Sequence, residues 1–98
     1  MLVDLQFANG KGTLSTSVIG LTGTTNINGS VVLERLNTNG TFSRVTPWDN
    51  LRATGNIFLW GTDYYVTRGH TYRMTLTATV IRNGISETLS LSNTAFAN

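Results

Sequence analysis

From His70 to Ile81 the chain alternates polar and apolar residues without a break. Tyr72, Met74, Leu76, Ala78 and Val80 share one parity, and Thr71, Arg73, Thr75, Thr77 and Thr79 share the other. A period of two separates these sets onto opposite faces of a strand, whereas a helical period of 3.6 would mix them within one turn. Beyond Asn83-Gly84 the pattern resumes, with Ile85, Glu87, Leu89 and Leu91 alternating against Ser86, Thr88, Ser90 and Ser92. Asn-Gly accepts positive φ at both turn positions and is a strong short hairpin signal, so the two runs are expected to pair antiparallel.

The rest of the chain repeats this grammar. Asn-Gly recurs at Asn9-Gly10, Asn28-Gly29 and Asn39-Gly40. The first and last separate β-type runs; Asn28-Gly29 lies just inside a run and marks either a bulge or the entry of a strand. Val3, Leu5 and Phe7 form a short opening strand, followed by a second over Gly12–Leu21. Ile27–Leu36 and Thr41–Pro47 flank Asn37–Gly40 as a second hairpin, with Val31 and Leu33 inward and Glu34 outward. A further strand covers Ile57–Val66 after the break at Gly55. Thr, Asn, Gly and Ser supply 44 of the 98 residues, while Ala, Glu and Lys are scarce. Such a composition argues against helices. Ninety-eight residues make one domain with a modest core. The expected fold is therefore all-β: an immunoglobulin-like antiparallel β-sandwich of about seven strands in a single domain, residues 1–98.

Two faces stay open at this level. In Gly12–Leu21, Leu14 and Val18 oppose Ile19 and Leu21 in parity. In Ile57–Val66, Phe58, Trp60, Tyr64 and Val66 oppose Ile57, Leu59 and Tyr65. If the former set fills the core, the latter is an apolar stripe that either meets a partner or lies beneath a loop formed by residues 48–55.

The segment Val66–Leu76 follows V-x-x-G-x-x-Y-R-h-x-h, where h is apolar, and this resembles the E–F corner of immunoglobulin-like and fibronectin type III-like sandwiches. The resemblance implies a structural corner at Gly69 and Tyr72, with the Tyr72 hydroxyl returned to nearby backbone. Gly29–Val45 reads G-x-V-x-L-x-R-x-x-x-x-G-x-F-x-x-V. Together the two segments resemble a family of small secreted Gram-positive bacterial β-sandwich proteins of unassigned function. Arg35 and Tyr72-Arg73 fit its pattern, while Phe42 stands where the family typically has Trp. The resemblance spans roughly residues 12–92, implies the sandwich and an extracellular or cell-surface location, and brings no mechanism.

The residues themselves exclude several chemistries. With no cysteine there is no disulfide, zinc-thiolate or thiol nucleophile. His70 is the single imidazole, beside the corner glycine, and no G-x-S-x-G elbow accompanies it. Asp4, Glu34, Asp49, Asp63 and Glu87 lack calcium-loop or paired spacing, and Gly10-Lys11-Gly12 is a turn rather than a phosphate loop. No catalytic residue, metal or cofactor is expected. Six Arg and one Lys are scattered, giving a net charge of +2 without the basic stripe of a nucleic-acid binder. No apolar run is long enough to span a bilayer, and Met1-Leu2-Val3-Asp4 shows no basic n-region.

The expected function is a non-enzymatic extracellular binding or structural module acting through protein contacts, with a protein partner or a homodimer docking on Ile57, Leu59 and Tyr65. One alternative is a carbohydrate-binding module in which Trp48 stacks on a glycan while Arg52 and its polar neighbours take the hydroxyls; the plainer reading of Trp48 is a lid folded back on the core or on the Ile57/Leu59 stripe. The other is an immunoglobulin-like structural domain of a phage virion.

Overall fold

The computed structural model describes all of residues 1–98 and contains seven strands and no helix: β1 (Leu2–Ala8), β2 (Lys11–Ile19), β3 (Thr24–Leu36), β4 (Phe42–Thr54), β5 (Ile57–Tyr65), β6 (Thr71–Arg82) and β7 (Ile85–Phe96). They form a three-stranded sheet ordered β1-β2-β5 and a four-stranded sheet ordered β4-β3-β6-β7. Every pairing is antiparallel, and the sheets stack as a β-sandwich. The β1–β2 and β6–β7 hairpins turn at Asn9-Gly10 and Asn83-Gly84, where both residues have positive φ as a type I′ turn requires. The β3–β4 hairpin uses a longer loop, in which the Gly40 amide bonds the Asn37 carbonyl and Asn39 Oδ1 accepts from the Thr41 amide.

The alternation sorts the core. β3 and β6 run side by side inside the larger sheet, placing Val31 opposite Leu76 and Leu33 opposite Met74. All four side chains are buried, as are Val3, Leu5, Leu14 and Val18 from the facing sheet. The inward face of β2 is thus the one bearing Leu14, Thr16 and Val18; Ile19 and Leu21 face solvent. Thr16 is accommodated because its hydroxyl donates to the Trp60 carbonyl at 3.3 Å, leaving no unpaired polar atom. Asn28-Gly29 is not a strand entry but adjoins a bulge, since the β3–β4 register shifts between Gly29 and Val31. Gly29 pairs with Ala78 on the inner face, and the missing side chain of Gly29 leaves room for the Phe58 ring. A Cβ on Gly29 would stand 3.2 Å from Phe58 Cζ.

Residues 48–55 are not a loop. β4 continues to Thr54, and only Gly55 and Asn56 connect it to β5. The polar run Asp49–Arg52 disguises a strand whose Leu51 and Ala53 pack against the core. A register shift between Gly29 and Val31 accommodates the extra residue of β4, with Asn50 at φ 59° beside it. β7 likewise extends past Ser92 to Phe96.

One end of the sandwich is stitched shut by backbone bonds. The Gly10 amide donates to the Asn98 carbonyl, the Gly69 amide to Ala97, the Ala97 amide to His70 and the Val66 amide to Gly10. Beneath them lies Tyr72, 2% exposed, with its ring centroid 5.4 Å from that of Phe7 and its hydroxyl donating to the Thr67 carbonyl at 2.8 Å. Gly69, at φ +88°, turns the chain between them. Burial pushes the Tyr72 phenol above its ordinary value of 10, against the opposing pull of the nearby Arg35 guanidinium. The neutral phenol is therefore the form the folded state favours. Its contribution is whole below about pH 10 and is lost as pH rises through and beyond that value. Tyr72→Phe is expected to cost about 1–2 kcal/mol in urea unfolding at pH 7. It should also flatten the alkaline fall in stability, and a variant of wild-type stability at both pH values would show that the hydroxyl contributes nothing.

Candidate binding surfaces

Strand β5 presents two chemically similar faces, and the sandwich uses one of them. Phe58 is buried, with Trp60 and Tyr64 partly buried on the same face, whereas Ile57, Leu59 and Tyr65 project outward. β2 sets the neighbours of the outward residues: Ser17 lies between Leu2 of β1 and Leu59, and Ile19 pairs with Ile57. Leu2, Ile19, Ile57 and Leu59 therefore form one patch on the outer face of the three-stranded sheet, each between 52% and 72% exposed. No loop covers it. Tyr65 does not belong to this patch. It pairs with Lys11 at the far end, beyond Gly61 and Asp63, roughly 20 Å from Leu59 along the strand. The exposed ion pair between Lys11 and Asp63, 3.5 Å, keeps that end polar.

Trp48 and Arg52 lie on opposite faces of β4. The Trp48 indole turns inward and packs on Trp60 at a centroid distance of 5.3 Å and edge-on against Tyr64 at 5.7 Å. These contacts close the β4–β5 side of the core. Asp49, Asn50 and Arg52 instead line a shallow polar cleft of about 510 Å³ on the outer face of the larger sheet, with Asn28, Ser30 and Thr79. The cleft holds donors and acceptors but no aromatic platform. The arrangement in which a ring stacks on a sugar while Arg52 takes its hydroxyls is not assembled.

The remaining titratable groups are dispersed. Glu34 accepts two bonds from the Arg73 guanidinium, at 2.9 and 3.1 Å, and that guanidinium lies 3.9 Å from the centre of the Phe42 ring. His70 is half-buried at the stitched end, and no three of the His, Asp and Glu side chains gather where they would hold a metal ion. No helix is long and apolar enough to cross a membrane. Family models, curated proteins and solved structures were all compared with the chain, and none matches it.

Leu2 and Ile19 are the members of the patch that sequence reading missed. Leu2 opposes the parity of Val3, Leu5 and Phe7, and Ile19 that of Leu14 and Val18, signals visible in the sequence, but only the strand register brings them beside Ile57 and Leu59. The two sides of β4 make opposite predictions. Trp48→Ala should lower stability by about 2–4 kcal/mol, because it empties the space between Trp60 and Tyr64. Arg52→Ala should stay within about 0.5 kcal/mol of wild type, as expected for an exposed side chain. Equal effects in chemical denaturation would mean that Trp48 does not close the core.

Proposed function

We propose that this domain is a non-enzymatic binding or structural module that works outside the cytoplasm and acts through protein contacts. The observation that carries the reading is the patch formed by Leu2, Ile19, Ile57 and Leu59. The solvent face of an antiparallel sheet ordinarily carries polar side chains, and the β6–β7 ladder of the other sheet follows that rule along its middle. Its outer face displays Thr75, Thr77 and Thr79 beside Ser92, Ser90 and Thr88. Four large aliphatic residues gathered on the opposite surface gain free energy by leaving water, and contiguous apolar patches of this kind mark interaction sites. The extracellular setting is supported by the resemblance to secreted Gram-positive sandwiches and by the Thr/Ser/Asn-rich surface. A virion protein of the same fold would use the same patch. A glycan reading has less support, since the polar cleft offers no ring to stack on.

The simplest partner is a second copy. A net charge of +2 offers little repulsion between two such surfaces. Analytical ultracentrifugation is expected to show concentration-dependent dimerisation in the micromolar range. Leu59→Lys should abolish it while leaving the circular dichroism spectrum and the unfolding midpoint close to wild type, because Leu59 projects into solvent. A strictly monomeric wild-type protein at high micromolar concentration would remove the homodimer, and unfolding of Leu59→Lys would place Leu59 in the core.

A further inference from the structure

The inner face of β7 is exposed over its first half, from Ile85 to Leu91. β1 begins opposite Ser17, whereas β2 continues to Ile19 and β7 starts at Ile85, so the edge strand of the smaller sheet is the short one at this end. β1 and β7 do meet further along, where Asn93 Nδ2 of the side chain donates to the Val3 carbonyl at 3.0 Å. Away from that contact the sandwich gapes into a groove of about 310 Å³. Met1, Ile19 and Leu21 wall one side of it, and Ile85, Glu87 and Leu89 the other. Ile85, Leu89 and Leu91 are exposed, although Ala78 and Leu76, the β6 partners of Leu89 and Leu91, are sealed in the core.

The same stretch is an open sheet edge. β7 borders the four-stranded sheet, and none of the backbone bonds outside the strand ladders falls on Ile85–Phe96. Natural edges are commonly guarded by Pro, bulges or positive charge. The opposite edge, β4, has all three: Pro47, two register shifts, and Arg44 with Arg52. β7 has twelve residues without Pro, Lys or Arg. Its one charge, Glu87, lies between Ile85 and Leu89 on the groove side and makes no ion pair. The nearest candidate counterion on the groove wall, Arg82, is engaged through Nε with the Thr22 carbonyl at 2.8 Å.

Charge complementarity selects the occupant. A strand laid along β7 would set one residue directly across from Glu87, at about 4.5–5.5 Å between Cβ atoms, where a base is favoured and an acid is not. This chain does not supply such a strand. Its other unbulged edges, β1 and β5, carry Asp4 and Asp63 and no base. We propose that the β7 edge and its groove take up an extended segment of a different protein chain, apolar at alternate positions and carrying a Lys or Arg opposite Glu87. Backbone bonds to β7 would supply affinity, and the apolar side chains would complete the inner face beside Leu89 and Leu91. The proposal rests on the reading of the domain as a protein-contact module, but it concerns the β7 edge rather than the Leu59 patch, with which the groove shares Ile19.

The probe is a blocked ten-residue peptide of alternating Thr and Val in which one central Val is replaced by Lys, compared with its Lys→Glu counterpart. Titrated into the full chain and followed by amide NMR, the Lys peptide is expected to bind about three- to tenfold more tightly than the Glu peptide. It should slow hydrogen exchange at Ile85–Ser92. Glu87→Lys, at an exposed position that leaves the fold intact, should reverse the preference. Absence of binding by either peptide, equal binding without reversal, or protection confined to β5 would each overturn the proposal. Leu59→Lys separates the two readings: dimerisation lost while Lys-peptide binding persists supports both, and wild-type dimerisation without any peptide binding sinks the groove alone.

Discussion

The pairing of β3 with β6 is the interaction on which the remaining structure hangs. Their inner faces contribute Ile27, Val31, Leu33, Tyr72, Met74, Leu76 and Ala78, all buried, and they flank the centre of the larger sheet where neither has a free edge. Deleting a buried aliphatic side chain from such a ladder removes its transfer free energy and leaves a cavity that close-packed neighbours fill only in part. Every other strand is placed relative to this pair. Phe58 of β5 rests over Gly29, and the β1–β2 hairpin covers the remainder with Val3, Leu5, Leu14 and Val18. At the end where Tyr72 emerges, backbone bonds among Gly10, Val66, Gly69, His70, Ala97 and Asn98 close the gap between the sheets.

The two ends of the sandwich are therefore unlike. The Tyr72 end satisfies its backbone groups internally and buries Ala97 completely. The opposite end brings together Met1, Leu2, Ile19, Leu21, Ile57 and Ile85, each a large apolar side chain in contact with water. This asymmetry follows from strand lengths. β2, β6 and β7 reach further in that direction than β1, so a three-stranded sheet faces a four-stranded one with its shortest strand at the uncovered corner. Exposed aliphatic residues gathered at one end are more informative than the same number scattered singly, because only contiguous area is buried together in a contact.

The alternation and turn chemistry of the sequence made most of the fold legible. The β6–β7 hairpin, the inward set of β6 and the all-β architecture follow from period two and from Asn-Gly dipeptides at which both residues reach positive φ. What stayed hidden has identifiable causes. The run Asp49-Asn50-Leu51-Arg52 is polar enough to read as a loop, because a bulge suspends strict alternation and places both Asp49 and Asn50 near Ser30. Gly29 belongs to an Asn-Gly pair but serves a ring packed from the other sheet, a contact no local pattern encodes. Ile57, Leu59 and Tyr65 were correctly grouped by parity. Their separation along the strand, and the arrival of Leu2 and Ile19 beside two of them, are properties of register.

The two outer faces of the sandwich show how one chain can keep most of its surface in water while reserving part of it. On the larger sheet, Thr75 bonds Ser92 at 2.8 Å and Thr79 bonds Thr88 at 3.1 Å, so hydroxyls pair across strands and hydrate together. Arg73 is held there by Glu34 and lies against Phe42, which covers a half-buried ring with a guanidinium. The smaller sheet has the hydroxyls of Thr13, Ser15 and Ser17 along its central strand, yet its margins carry Leu2, Ile57 and Leu59, with no cation or aromatic neighbour to cover them. A chain able to shield Phe42 in this way leaves that aliphatic surface bare, and a contact that removes Leu2, Ile19, Ile57 and Leu59 from water gives the bare surface a physical purpose.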